Sequence, residues 1–290
     1  MTHVDMDRIV ERVGDLPAMP SVVSDALNLT DDPESDMEAV AAILERDPGL
    51  SARILRVSNS PYFGMRQHVG TLKLALVILG VREVRNIILG VSLVDSLRDE
   101  KTDQLLTNRF WQDSFRVGSL SKRVGKTFSL GCQGEDFIAG LLHGIGKMVL
   151  CRHLFEDYSP MFKAADNDDV LAERERAAFG FTHADISAAL GKRWNLPEPL
   201  CDAIGLHLPH PDCPLANAKD PRLAAAVRIA YYTGRDSTQP PEESVAQALA
   251  QHEAWSVLTG KTGADLDQSC RESLLDIARE VSEIPPLEFG

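Results

Sequence analysis

Two Asp-Pro dipeptides, Asp47-Pro48 and Asp220-Pro221, most constrain what this chain can fold into. In each, an aspartate able to cap a helix stands directly before a proline. The proline's fixed φ and missing N–H suit the first helical position and no interior one. Apolar residues then recur at helical spacing, with Leu50, Ile54 and Val57 after the first dipeptide and Leu223, Val227 and Ala230 after the second. Ser35-Asp-Met-Glu38 is a capping-box sequence ahead of Val40, Ile43 and Leu44, so two helices are expected to meet at Asp47. Asn59-Ser-Pro-Tyr-Phe-Gly64 breaks the pattern, Thr71 to Leu79 resumes it, and Gly80 interrupts before Val81, Val84, Ile88 and Val91. No run alternates with period two, and the fold class predicted is all-α.

With 290 residues and 44% apolar content, the chain can bury a sizeable core without covalent staples. Its five cysteines, Cys132, Cys151, Cys201, Cys213 and Cys270, include no Cys-x-x-Cys pair. Their odd number argues against a disulfide framework and fits a reducing cytoplasm. The first residues carry no basic and apolar export pattern. Arg82, Glu83 and Arg85 break the longest apolar runs, so no segment is expected to enter a membrane. A net charge of -13 argues against nucleic acid as a partner, because that affinity rests on a cationic surface.

The charge is unevenly spread. Asp5 to Asp47 is strongly acidic, whereas Arg53, Arg56, Arg66, Lys73, Arg82, Arg85 and Arg98 make the next segment locally basic. Two readings stand for that segment. Its cations are solvated helix faces pairing with nearby carboxylates, or they form a docking face for an acidic partner or a phosphate-bearing ligand. In the second reading Arg53, Arg56, Arg82 and Arg85 mark the partner surface. The polar stretch Asp99 to Gln104 is the expected junction between an N-terminal helical lobe, 1–98, and a second helical lobe, 99–240. Residues 241–290 follow as a C-terminal helical extension, and a junction this short implies that the lobes share an interface.

Chemistry-bearing residues concentrate in Asp136-Phe-Ile-Ala-Gly-Leu-Leu-His143-Gly144-Ile-Gly-Lys147-Met-Val-Leu150. Read as one helix, the stretch puts His143 and Lys147 one turn apart on the same face. Its glycines are no phosphate loop, since they lie within a helical pattern that no strand precedes. Further motifs flank it in order. Before it come Leu16-Pro-Ala-Met-Pro20, Ile43-Leu-Glu-Arg-Asp47-Pro48, Leu55 to Gly64, Ala75 to Asn86 and Trp111-Gln-Asp113-Ser114. After it come His183-Ala-Asp185, Trp194-Asn-Leu-Pro197 and Ile204-Gly-Leu-His207. In this register the chain, to about Pro240, resembles the HDOD family. These are bacterial HD-related output domains that keep the helical core of HD phosphohydrolases and largely lose its catalytic residues.

The resemblance implies a site to be tested ligand by ligand. In HD hydrolases a first His, a His-Asp pair, further His residues and a later Asp hold one or two cations that activate water for phosphate ester cleavage. Here the first His position is Asp113, the pair is His143 and Gly144, and the last carboxylate falls at about Tyr231. His143, His183 and His207 survive, with Lys147 placed to meet a phosphate oxygen. Three histidines, alone or with Asp113, suffice to hold zinc with one position open. The competing reading makes them core residues hydrogen-bonded to main chain or water.

The resulting expectation is no catalytic residue and no cofactor, with Asp113, His143, Gly144, Lys147, His183 and His207 as vestigial positions. By resemblance the protein is a non-catalytic signal-transduction module that contacts protein partners of a bacterial signalling pathway. Two alternatives stay open. One is a residual metal-dependent phosphohydrolase or cyclic-nucleotide phosphodiesterase using Asp113, His143, His183, His207 and Lys147, and the other is a nucleotide-sensing module without turnover.

Overall fold

A computed structural model describes residues 37–283 apart from 61–62, 64–66, 98–103, 133, 166, 211 and 236–237, together with residues 22, 25 and 26. Among the described residues every regular element is helical. Helix α1 (Met37–Leu44) and helix α2 (Pro48–Ser58) meet at Asp47, as the Asp-Pro pair predicts. Asp47 is extended at φ -115, and its Oδ1 accepts the Leu50 N–H at 2.9 Å. Ser35 of the capping box, the Leu16–Pro20 motif, Arg66 and Arg98 lie outside the described residues. Asn59 ties off α2. Its Nδ2 donates to Leu55 O at 2.8 Å and Val69 O at 2.7 Å, while its Oδ1 accepts the Val69 N–H at 2.6 Å. Asn59 therefore fixes the chain between α2 and helix α3 (Leu72–Leu79) as a turn. Gly80 ends α3 at φ +87, where a side chain is disfavoured, and helix α4 (Val81–Leu97) starts at once.

The rest of the chain wraps one central helix, α12 (Pro221–Gly234). Asp220 caps it as the second dipeptide predicts, its Oδ1 accepting the Leu223 N–H at 3.0 Å. Every residue from Leu223 to Gly234 is buried. Around α12 pack α5 (Gln104–Thr127), α6 (Glu135–Leu142), α11 (Glu198–Gly205), α13 (Pro241–Leu249) and α14 (His252–Thr259). A helix without a solvent face must pair each of its polar groups internally. Arg228 does so while 1% exposed: Nε donates to Leu206 O at 2.8 Å, Nη2 to Leu208 O at 3.2 Å and Nη1 to Glu253 Oε2 at 2.6 Å. The last helix, α15 (Gln268–Ser282), packs on α13 and α5. The C-terminal helices, which no motif accounts for, thus complete the core around α12.

One apolar cluster runs from the N-terminal helices to the C-terminal ones. Helix α4 carries it across, packing on α2, α3 and α6. The Phe63 ring lies 5.3 Å from that of Phe137 on α6, and Lys122 on α5 pairs with Glu83 at 2.9 Å. Most of the expected junction, residues 98–103, falls outside the described residues. All five cysteines are free thiols. No helix among the described residues is long and apolar enough to cross a membrane.

The stretch read as one helix is two. α6 ends at Leu142, His143 and Gly144 form a turn, and α7 (Ile145–His153) begins anew. The break follows from packing against α10 (His183–Arg193). The Gly146 N–H donates to Ser187 Oγ at 2.8 Å, and a Cβ on Gly146 would lie 2.0 Å from His183 O. Only a glycine there lets α7 approach α10 so closely.

Removing one cap tests the reading of the first Asp-Pro pair. Asp47→Ala orphans the Leu50 N–H and is expected to destabilise the chain by about 1 kcal/mol in urea denaturation followed by circular dichroism. An unchanged midpoint and slope would show that the cap contributes nothing.

Candidate functional site

Separate local devices bring three histidines together. His143 occupies the turn between α6 and α7. His183 opens α10, whose start is set by a capping box: Thr182 Oγ1 accepts the Asp185 N–H at 3.3 Å and Asp185 Oδ2 accepts the Thr182 N–H at 2.7 Å. His207 lies just beyond α11. Ring centroids are 4.9 Å apart for His143 and His207 and 5.5 Å for His183 and His207. Tyr231 on α12 joins them, 5.4 Å from His143 and 4.9 Å from His207.

Each imidazole is oriented through Nδ1. His143 donates to Gly140 O and His207 to Ile204 O, both at 2.7 Å. His183 meets the carboxylate of Glu175, on α9 (Asp168–Phe179), at 2.8 and 3.0 Å. Glu175 is fully buried and also accepts the His183 N–H at 2.8 Å and the hydroxyl of Tyr158, on α8 (Phe155–Lys163), at 2.6 Å. Burial alone would raise the pKa of that carboxyl, but His183 and these hydrogen bonds outweigh it and hold it below the usual carboxylate range. Nε2 of His183 and of His207 are buried without a hydrogen-bond partner. Burial first, then the Lys147 ammonium, pushes the His143 pKa down to about 3. Burial, then His143 and His183, holds His207 well below its ordinary value. His143 and His207 are therefore neutral at physiological pH.

A second carboxylate beside this cluster is also engaged. Lys147 on α7 donates to Asp168 at the start of α9, and Asp168 also accepts the Tyr231 hydroxyl at 2.7 Å. Burial would raise the Asp168 pKa, yet the Lys147 ammonium, His183 and both hydrogen bonds drive it well below the usual carboxylate range. Burial and then Asp168 raise Tyr231 well above its ordinary value, keeping it a phenol donor. Asp113 on α5 pairs with Arg116 at 3.0 Å, and Arg116 also donates to Gly234 O at 3.1 Å. Gly144 has an ordinary φ of -95, but a Cβ there would lie 3.2 Å from Phe110 Cε2. An aspartate at 144 would thus require the Phe110 ring to give way by a few tenths of an ångström.

A cavity of about 440 Å³ opens beside the cluster, its wall including Asp113, Ser114, His143, Lys147 and Asp168, whereas His183 and His207 do not line it. Among the described residues no set of three or more His, Cys, Asp or Glu side chains is arranged to hold a metal ion. The physical reasons are local: Gly144 offers no side-chain oxygen, Phe110 stands beside it, and Asp168 faces an ammonium and a phenol. The donor set does not fit the metal centre that HD hydrolases require.

The four arginines do not join this site. Arg53 and Arg56 lie on α2, Arg82 and Arg85 on α4, with Arg56 and Arg82 exposed and the other two half-buried. Arg82 lines a second cavity, of about 490 Å³, with Glu83, Lys122, Lys126 and Asp136. Neighbouring Lys73 pairs with Glu38.

Sequence reasoning passed over Phe110, Asp168 and Glu175. Glu175 was legible, because it stands four residues after Leu171 and four before Phe179 on the buried stripe of α9, where a carboxylate needs a partner. Asp168 had no such signal, since an acid in the first turn of a helix reads as dipole compensation.

An all-helical scaffold that brings three buried histidines and a lysine together defines an HD-like domain. The chain belongs to the HDOD family, whose domain model matches residues 16–209. It is 28% identical over 214 residues to an uncharacterised protein of Treponema pallidum (strain Nichols), covering 70% of this chain and 40% of that protein's length. Its fold is that of an HDOD domain protein of unknown function from Geobacter sulfurreducens, with a TM-score of 0.71 and 24% identity over 96% of this chain and 99% of the other. It is also that of a candidate phosphohydrolase from Shewanella amazonensis SB2B, with a TM-score of 0.67 and 23% identity over the same shares.

Buried neutral imidazoles make stability depend on pH in a stated direction. The unfolded chain binds a proton at His143 below about pH 6.5, the native chain only near about 3. That contribution is fully present above pH 6.5 and is lost as pH falls toward 3. His143→Asn, which keeps a donor for Gly140 O and does not titrate, should therefore flatten the stability slope between those values in urea denaturation. An unchanged slope would mean that His143 is already protonated in the fold.

Proposed function

We propose that this protein is a non-catalytic signal-transduction output module that acts through contacts with protein partners of a bacterial signalling pathway, in the cytoplasm. Membership of the HDOD family fits a signalling role. The observation that carries the non-catalytic part is the Lys147–Asp168–Tyr231 set. Hydrolysis of an HD type needs a metal cation to acidify water. Here a side-chain ammonium neutralises Asp168, His183 and Tyr158 hold Glu175, and the His-Asp pair lacks its Asp. A fixed ammonium has no open coordination position and cannot activate water as a metal does.

The division into 1–98, 99–240 and 241–290 belongs to the same proposal, with α4 as the element that communicates between the first two. Exposed Arg56 and Arg82, with Arg53 and Arg85 beside them, are the proposed contact surface for an acidic partner. Five free thiols support the cytoplasmic setting.

The deciding experiment combines metal analysis of the purified chain with a screen of phosphomonoester and phosphodiester hydrolysis. Metal well below one equivalent and no turnover above background are expected. Gly144→Asp alone should leave metal content unchanged, because the Phe110 ring and the Lys147 ammonium still occupy the site. One tightly bound equivalent of metal, with hydrolysis abolished by His143→Ala, would overturn the proposal.

A further inference from the structure

We infer that the cavity beside the three histidines binds a small organic anion that carries one negative charge and a planar ring. This deepens the reading above and rests on it in one respect only, that the ligand is held and not cleaved.

The charge follows from pairing around the cavity wall. Asp168 is matched by Lys147, and Asp113 by Arg116. Arg235 is matched by Asp169 at 2.5 Å and further held by Gln247 Oε1 at 3.0 and 2.8 Å. His143 adds no charge, being neutral. Lys163 is the wall cation that has no carboxylate partner among the described residues. Among the described residues one positive charge is therefore left over, and a second negative charge on a ligand would have to break one of these pairs.

An independent observation also points to a ligand. Ser114 is 1% exposed, lines the cavity, and its hydroxyl has no hydrogen-bond partner. A buried hydroxyl left unpaired is destabilising, and an acceptor oxygen in the cavity would relieve it once the Ser114 side chain turns toward it. The ring follows from the walls. Phe110, Phe162 and Tyr231 supply aromatic surface. The Arg235 guanidinium lies 4.5 Å from the Tyr232 ring centre and 5.9 Å from that of Tyr231, forming a planar, pre-ordered edge. Gln247 Nε2 donates to Gln239 Oε1 at 2.9 Å, so amides form the rim. A volume of about 440 Å³ is within the range of small-ligand sites.

Two sources supply this chemistry, the phosphodiester of a cyclic mononucleotide and the carboxylate of an aromatic acid. Isothermal titration of the full chain at neutral pH would use cyclic AMP and indole-3-acetate as the two monoanions, with adenosine as a ring without charge and inorganic phosphate as charge without a ring. Saturable binding of one monoanion is expected, at least ten-fold tighter than adenosine or phosphate. Lys163→Glu, an exposed change that should leave helix content intact, is expected to weaken it at least ten-fold, and Ser114→Ala several-fold. Failure of both monoanions to bind at concentrations up to about 1 mM would overturn the inference and leave the regulatory reading untouched. Adenosine binding as tightly as either monoanion, or binding indifferent to Lys163→Glu, would also overturn it. Binding accompanied by cleavage of cyclic AMP would support the site and overturn the absence of turnover.

Discussion

Helix α12 is buried from Leu223 to Gly234, and the helices around it are arranged to pair what it buries. Its small residues, Ala224, Ala225, Ala226 and Ala230, are fully buried and let neighbouring helices approach closely. Arg228, the one charged side chain on its buried length, is satisfied by two carbonyls and Glu253. Burying an unpaired guanidinium would cost several kcal/mol, so α14, which brings Glu253, is as necessary to the core as the motif-bearing helices. Removing the C-terminal helices would therefore unseat α12, and with it Tyr231 and the site.

The site is built on the same rule of paired burial. Asp168 is stabilised by Lys147 and Tyr231, and Glu175 by His183 and Tyr158. These two clusters link α7, α8, α9, α10 and α12 through side chains rather than through backbone ladders. The arrangement favours rigidity over chemistry: the carboxylates are committed to neighbours, and the imidazoles of His143 and His207 are held neutral by burial. In this HD-like scaffold a lysine and a tyrosine engage Asp168, and the Phe110 ring stands beside Gly144.

Helix α4 is the packed connection between the N-terminal helices and the helix that leads into the histidine cluster. It packs on α2 and α3 on one side and on α6 on the other, and α6 leads directly into His143. Its first turn meets α5 through the Glu83–Lys122 pair beside the second cavity. A change at the basic face of α2 and α4 thus has a short, continuous packed route to the site.

Local signals along the chain set the helical class, the starts of α2 and α12, the break after Asn59, the stop at Gly80 and the glycine at 144. These are local matters, because a cap, a proline or a glycine acts within a few residues of itself. The sequence also placed His143, His183, His207 and Lys147 as a set, through the order of motifs. Tertiary structure decided the rest. The break between α6 and α7 depends on how closely α10 approaches Gly146, the state of Lys147 on an acid 21 residues away, and the closed space at Gly144 on a ring from α5. Pairing and crowding among residues distant in the chain are set only when the helices pack, and no spacing along the sequence encodes them.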